Sequence, residues 1–124
     1  MIDFDNKSLF KLKPENIENG FENIKELLIS GEFVIDSYIS MRDRVVFTNK
    51  RIISINVQGI TGTKKDYTSI PYNKIQTYSV ETAGLLDLDA ELDLWIAGLG
   101  KIRFEIKRSA NIMKLCQAIS ELIL

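Results

Sequence analysis

Residues 87–107, DLDAELDLWIAGLGKIRFEIK, alternate apolar and polar side chains on both sides of a glycine-marked reversal, the period of two that a β-hairpin with one buried face requires. Leu88, Ala90, Leu92, Leu94 and Ile96 make the apolar face of the first arm, and Ile102, Phe104 and Ile106 that of the second. With Gly98-Leu99-Gly100 as a three-residue loop, Ile96 faces Ile102, Leu94 faces Phe104 and Leu92 faces Ile106. A loop one residue longer or shorter would set apolar against charged side chains. The same register sets Trp95 opposite Arg103 and Glu91 opposite Lys107 on the outer face, and leaves Asp93 against Glu105, a like-charge pair.

Upstream of this hairpin the pattern of short strands and tight turns continues. Strands are expected over 33–41, 45–48, 51–57, 65–70 and 75–80, punctuated by Arg42-Asp43, Asn49-Lys50, Gly59, Gly62 and Pro71. With the hairpin arms they make seven. Downstream, Ser109 can cap a helix whose apolar face is Ile112, Leu115, Cys116, Ile119, Leu122 and Ile123. Before the strands, Ile17, Phe21, Ile24, Leu27 and Leu28 recur at helical spacing, with Pro14 suited to the first turn and Gly31 to the stop. Residues 1–12 carry possible anchors at Leu9, Phe10 and Leu12. The expected fold is mainly β: a seven-stranded bent, partly open barrel with a C-terminal capping helix. Residues 1–31 are read as an N-terminal helical extension and 32–124 as the barrel domain, together one compact unit.

At 124 residues the chain can bury a core without metal or disulfide, and 45% hydrophobic with 27% charged residues is ordinary globular composition. A net charge of -1 argues against a general nucleic-acid binder. Charge is segregated, however. Residues 42–74 hold seven basic residues against two acidic, whereas 81–93 hold five acidic and no basic. The lone Cys116 cannot form an intramolecular disulfide, the N-terminus interleaves charges where a secretion signal would have an apolar run, and no stretch is long enough to span a bilayer. A cytoplasmic protein is expected.

Gly31-Glu32, the RDRVVFTNKR run of 42–51, Gly59-Ile60-Thr61-Gly62, Ser69-Ile70-Pro71-Tyr72, 80–84 and 87–98 occur in an order that is similar to the bacterial pleckstrin-homology (PH) domain family, a group first catalogued as domains of unknown function. The resemblance covers roughly the last three-quarters of the chain. It implies a seven-stranded PH-like barrel with a C-terminal helix and a tendency towards homo-oligomeric, ring-shaped assembly. Eukaryotic PH domains that bind phosphoinositides use basic residues on the first two strands and a long loop between them. Here that connection is only Met41-Arg42-Asp43-Arg44, with an acid in its middle.

No histidine is present, which removes the commonest general base and metal ligand near neutral pH. Cys116 lies on an apolar helix face and reads as packing. Asp87, Asp89, Glu91 and Asp93 begin like a calcium loop, but Leu92 and Gly98 stand where glycine and a bidentate glutamate are needed. Residues 59–65 have the glycines of a phosphate loop without its spacing, and they lead into a strand. No enzyme and no cofactor is expected. The reading is an interaction module that self-associates, its acidic surface at Asp87, Asp89, Glu91, Asp93, Trp95 and Arg103 meeting a basic surface of the next copy, with another protein as a further possible partner. The alternative is membrane or anionic-ligand binding through Arg42, Arg44, Lys50, Arg51, Lys64 and Lys65. Trp95, on the outward face, is either covered by the N-terminal helix or free to anchor a partner.

Overall fold

The computed structural model describes residues 1–2, 8–85, 89–107 and 111–124, and for 8–10 the backbone only. The chain runs β1 (Ser8–Pro14), α1 (Ile17–Ile24), β2 (Val34–Ser40), β3 (Asp43–Thr48), β4 (Arg51–Gln58), β5 (Lys64–Pro71), a single 3₁₀ turn (Tyr72–Lys74), β6 (Ile75–Glu81), β7 (Asp89–Ile96), β8 (Gly100–Lys107) and α2 (Ile112–Ile123). The expected seven strands are all present, and an eighth joins them. Strand β1 lies in the segment expected to be only helical, and it couples two antiparallel meanders into one sheet of order β5-β4-β3-β2-β1-β8-β7-β6. Pro14 therefore ends a strand, where its missing N–H removes no ladder bond that the sheet needs, and the helix begins three residues later.

Strand β1 is antiparallel to β2 at Lys13↔Ile39 and Pro14↔Tyr38, then turns to run parallel to β8 at Ser8↔Arg103, Leu9↔Phe104 and Leu12↔Ile106. Strands β5 and β6, neighbours in sequence, stand at opposite ends of the hydrogen-bonded order. The barrel is therefore bent round and left open along a seam, which the 3₁₀ turn bridges covalently.

The β7–β8 hairpin forms with its apolar face inward, but in a register two residues from the expected one. Leu94 faces Ile102, Leu92 faces Phe104, Ala90 faces Ile106, and Ile96 faces Gly100. A slip of two conserves the face of every side chain, so apolar pairing alone could not tell the two registers apart. The turn decides: Leu99 N–H donates to the Ile96 carbonyl at 3.1 Å, and Gly98 at its third position has φ +81°, a conformation L side chains resist. The charges follow. Asp93 now faces Arg103, Trp95 faces Lys101 and Asp89 faces Lys107, while Glu91 faces Glu105.

Two apolar cores result. The main one fills the barrel, with Tyr38, Val45, Phe47, Ile52, Leu92, Leu94, Ile102, Phe104 and Ile106 closed over by Leu115 and Ile119 of α2. A second, smaller one forms where Ile24 of α1 packs on Val46, Ile53 and Ile55 of the opposite sheet face. Strands β3 and β4 are thus apolar on both faces, which is why their runs VVF and IISI do not alternate. On β2 the side chain that reaches the main core is Tyr38, whereas Phe33 and Met41, which flank the strand, are exposed. The stripe on α1 is likewise used along one edge only: Gly20 and Ile24 are buried, whereas Ile17 and Phe21 are partly exposed.

Helix α2 buries the expected face through Leu115 and Ile119, with Ile112, Leu122 and Ile123 packed against the core and Cys116 half-buried at its flank. The expected cap, Ser109, lies outside the described residues. The cap in the structure is Asn111, whose Oδ1 accepts from Lys114 N–H at 3.1 Å. Substituting Asn111→Ala should cost about 1 kcal/mol of stability, measured by urea denaturation, because that amide then lacks its acceptor.

Candidate functional site

Part of the family resemblance converges: Gly31-Glu32, Thr48, Asn49, Arg51, Ser69 and Tyr72 build a clamp. Glu32 follows α1 on a loop where Gly31 has φ +79° and Glu32 N–H donates to the Ile29 carbonyl at 3.0 Å. Its carboxylate, with no side-chain exposure, is held by Arg51 through two bonds of 3.0 Å, by the Thr48 hydroxyl at 2.7 Å and by Ile29 N–H at 3.1 Å. Arg51 uses two further donors on the Leu27 carbonyl at 2.7 Å and on Ser69 Oγ at 3.0 Å. Asn49 ties the same loop from the turn side, accepting from Phe33 N–H at 2.8 Å and donating to the Gly31 carbonyl at 3.0 Å. Tyr72 completes the set by donating to the Thr48 carbonyl at 2.7 Å. Burial pushes the Glu32 carboxyl up, but the bonds from Arg51, Thr48 and Ile29 and the Arg51 charge together hold it below the ordinary carboxylate value.

A second brace holds the other end of α1. Glu15 accepts from Arg44 Nε at 2.8 Å and from the Ser37 hydroxyl at 2.7 Å. Of the six cations expected to form an anion-binding surface, Arg44 and Arg51 are therefore committed inside the molecule. The other four do not meet as one patch. Arg42, on the two-residue turn between β2 and β3, donates to the Gly59 carbonyl at the same end of the sheet as Lys64 and Lys65. Lys50 stands at the far end of β4, an eight-residue strand roughly 23 Å long.

The outward face of β6, β7 and β8 carries the acidic surface. Asp87 lies outside the described residues. Asp93 and Arg103, both expected to face a partner, face each other instead: Nε donates at 2.8 Å and Nη2 at 3.1 Å to the two carboxylate oxygens. The same guanidinium reaches Glu91 at 3.5 Å, and Lys101 approaches Asp93 at 3.9 Å. Asp89 pairs with Lys11 of β1 at 3.4 Å. Three glutamates form a row across the strands, Glu81 on β6 opposite Glu91 on β7 and Glu91 opposite Glu105 on β8. Burial pushes the Glu91 carboxyl above its ordinary value, and the charges of Glu81, Asp93 and Glu105 add to that against the pull of Arg103. Trp95 is 48% exposed in a shallow depression with Thr77, Ser79 and Lys101. Helix α1 does not cover it, since α1 packs on the β2–β4 side.

The sequence pattern also left a basic site unrecognised. Where β1 parts from β2, Lys11, Lys13 and Lys107 line an open groove of about 530 Å³ together with Ile39, Ser40 and Met41. Lysines at alternate positions of 11–13 were its only trace in the sequence, and that trace has meaning only once β1 is known to be a strand. Among the described residues no group of three or more His, Cys, Asp or Glu side chains is disposed to hold a metal, and no helix is long and apolar enough to cross a membrane.

A family model of the bacterial PH domain matches residues 3–123. Two Bacillus subtilis (strain 168) proteins are similar: uncharacterized protein YjqA, 49% identical over 77 residues (62% of each chain), and uncharacterized protein YozO, 32% identical over 71 residues (57% of this chain, 61% of the other). The matched stretch spans about three-fifths of the length of each. Among solved structures, a DUF1696 family protein with a pleckstrin-homology domain from Shewanella loihica PV-4 superposes with a TM-score of 0.81 at 36% identity, covering 92% of this chain and 98% of that one. A pleckstrin-homology domain from Shewanella amazonensis SB2B gives 0.68 at 38% identity, covering 89% and 90%.

Proposed function

This chain belongs to the bacterial PH domain family, and from that premise we propose that it is a non-enzymatic interaction module that associates with further copies of itself, closing into a ring where the geometry allows. The observation that carries the reading is the Glu81–Glu91–Glu105 row beside β6, which among the described residues is an edge strand. Like charges directly opposite one another destabilise an isolated sheet. Here one guanidinium serves both Asp93 and Glu91, and Glu81 makes no ion pair among the described residues. Such a surface is relieved by the basic surface of a neighbour, and the β6 edge offers main-chain partners alongside.

Light scattering at low and high ionic strength tests it. The particle should be larger than one chain at low salt and should shrink as the Debye length falls from ~10 Å at 0.1 M to ~3 Å at 1 M. The pair Glu81→Lys and Glu91→Lys should give a monomer at low salt. A particle unchanged by both ends the reading. The alternative, membrane or anionic-ligand binding through Arg42, Lys50, Lys64 and Lys65, has less behind it, because Arg44 and Arg51 are spent on Glu15 and Glu32.

A further inference from the structure

We infer that the basic partner of the acidic row is the groove between β1 and β2, so that Glu81 and Glu91 of one copy seat among Lys11, Lys13 and Lys107 of the next. The inference rests on the self-association reading and supplies what that reading lacks, the identity of the receiving surface.

The groove exists because of how β1 pairs. Strand β1 runs beside β8 from Ser8 to Leu12 and shares only Lys13↔Ile39 and Pro14↔Tyr38 with β2, so the two strands part N-terminal to Lys13. Side chains pointing outward from three strands then converge on the gap. Lys11 and Lys13 come from β1 and Lys107 from the end of β8, with Ile39 and Met41 of the β2 side adding apolar lining. Met41 is 98% exposed, and Lys13 and Lys107 form no ion pair among the described residues. Lys11 has one carboxylate, Asp89 at 3.4 Å, and remains largely solvent-exposed. A surplus of positive charge beside accessible apolar side chains fits an acidic strand edge better than a neutral one.

Within one copy the two patches leave each other unsatisfied: Glu81 on β6 lies three strands from β1, roughly 14 Å at the usual spacing, and Glu91, although on the strand next to Lys107, reaches Arg103 instead. A second copy brings them into contact. Because the acidic and basic patches are different surfaces on one molecule, the contact is head to tail, the kind that closes into rings or extends into filaments.

The test is a charge exchange in the full chain, with masses read by analytical ultracentrifugation at low salt and folding checked by circular dichroism. Lys13→Glu with Lys107→Glu should sediment as a single chain of 14.2 kDa, and so should Glu81→Lys with Glu91→Lys. Mixing the two variants should restore association, since each then offers the other a complementary pair of patches. If wild type assembles and the lysine variant assembles equally well, or if mixing restores nothing, the groove is not the receiving surface although self-association stands. A wild-type monomer at low salt would remove both. Vesicles of acidic phospholipid give a further arm: a lysine variant of wild-type mass that has lost vesicle binding would reassign the groove to lipid.

Discussion

Replacing Arg51 by alanine is expected to remove about 3–5 kcal/mol of folding stability, a large share of the 5–15 kcal/mol that a small domain has. The reason is the carboxylate it leaves behind. Glu32 has no side-chain exposure and receives two of its hydrogen bonds from Arg51, so the substitution strands a buried charge and also frees the Leu27 carbonyl and Ser69. Urea denaturation of Arg51→Ala at neutral pH measures the loss, and one below about 1 kcal/mol would show that water reaches Glu32. Removing both members, as Arg51→Met with Glu32→Leu, should be milder than Arg51→Ala alone, because no buried charge is then left without its counter-charge, although Ile29 N–H and the Leu27 carbonyl still lose their partners. The same pair sets an acid limit. Glu32 titrates below its ordinary value of 4.5 in the folded protein, so the unfolded chain binds the proton first as pH falls. Its stabilisation is complete above that value and is lost as pH drops through the folded one. Arg51→Met/Glu32→Leu should lack this component of acid sensitivity.

Gly20→Ala should destabilise the protein by about 1–3 kcal/mol, although alanine is the better helix former by about 1 kcal/mol. A Cβ built at Gly20 would lie 2.5 Å from Ser37 Oγ and 2.7 Å from Ser37 Cβ. Ser37 cannot step aside: it is fully buried in β2, and its hydroxyl is bonded to Glu15. The helix must therefore lift from the sheet, and its contact through Ile24 with Val46, Ile53 and Ile55 loosens. Urea denaturation gives the magnitude, and hydrogen exchange should locate the loss in α1. The double variant Gly20→Ala/Ser37→Gly, which moves the missing volume across the contact, should recover part of it. A net gain in stability from Gly20→Ala alone would mean that α1 is only loosely docked.

The seven strands of the meanders were legible because each alternates or runs apolar between turn residues, and α2 because Leu115 and Ile119 repeat at helical spacing. Strand β1 was hidden because its partners are remote, one antiparallel and one parallel, so no turn chemistry announces it, and Pro14 reads equally well as a helix start. The hairpin register eluded apolar matching since a two-residue slip returns every side chain to its own face. Asp93 was the clue, as the like-charge contact with Glu105 marked the expected pairing as strained and the observed one gives it Arg103. Site residues were harder. Arg44 and Arg51 look like free surface cations in the sequence, and only the docking of α1 shows Glu15 and Glu32 waiting for them. The order FTNKR and SIPY identified the family without indicating that Thr48, Asn49, Arg51, Ser69 and Tyr72 serve one internal clamp.

The splice made by β1 also imposes a timetable on the chain. Each antiparallel neighbour pair from β2 to β5, and from β6 to β8, joins segments close in sequence and can zip as soon as both arms exist. Leu9, by contrast, finds Phe104 ninety-five positions later. Contacts of such long range are entropically slow to close. During synthesis the first strand emerges early and stays without its parallel partner until nearly all of the described residues have been made. The barrel is therefore completed last at β1, where two half-sheets that form separately still have to be sewn together.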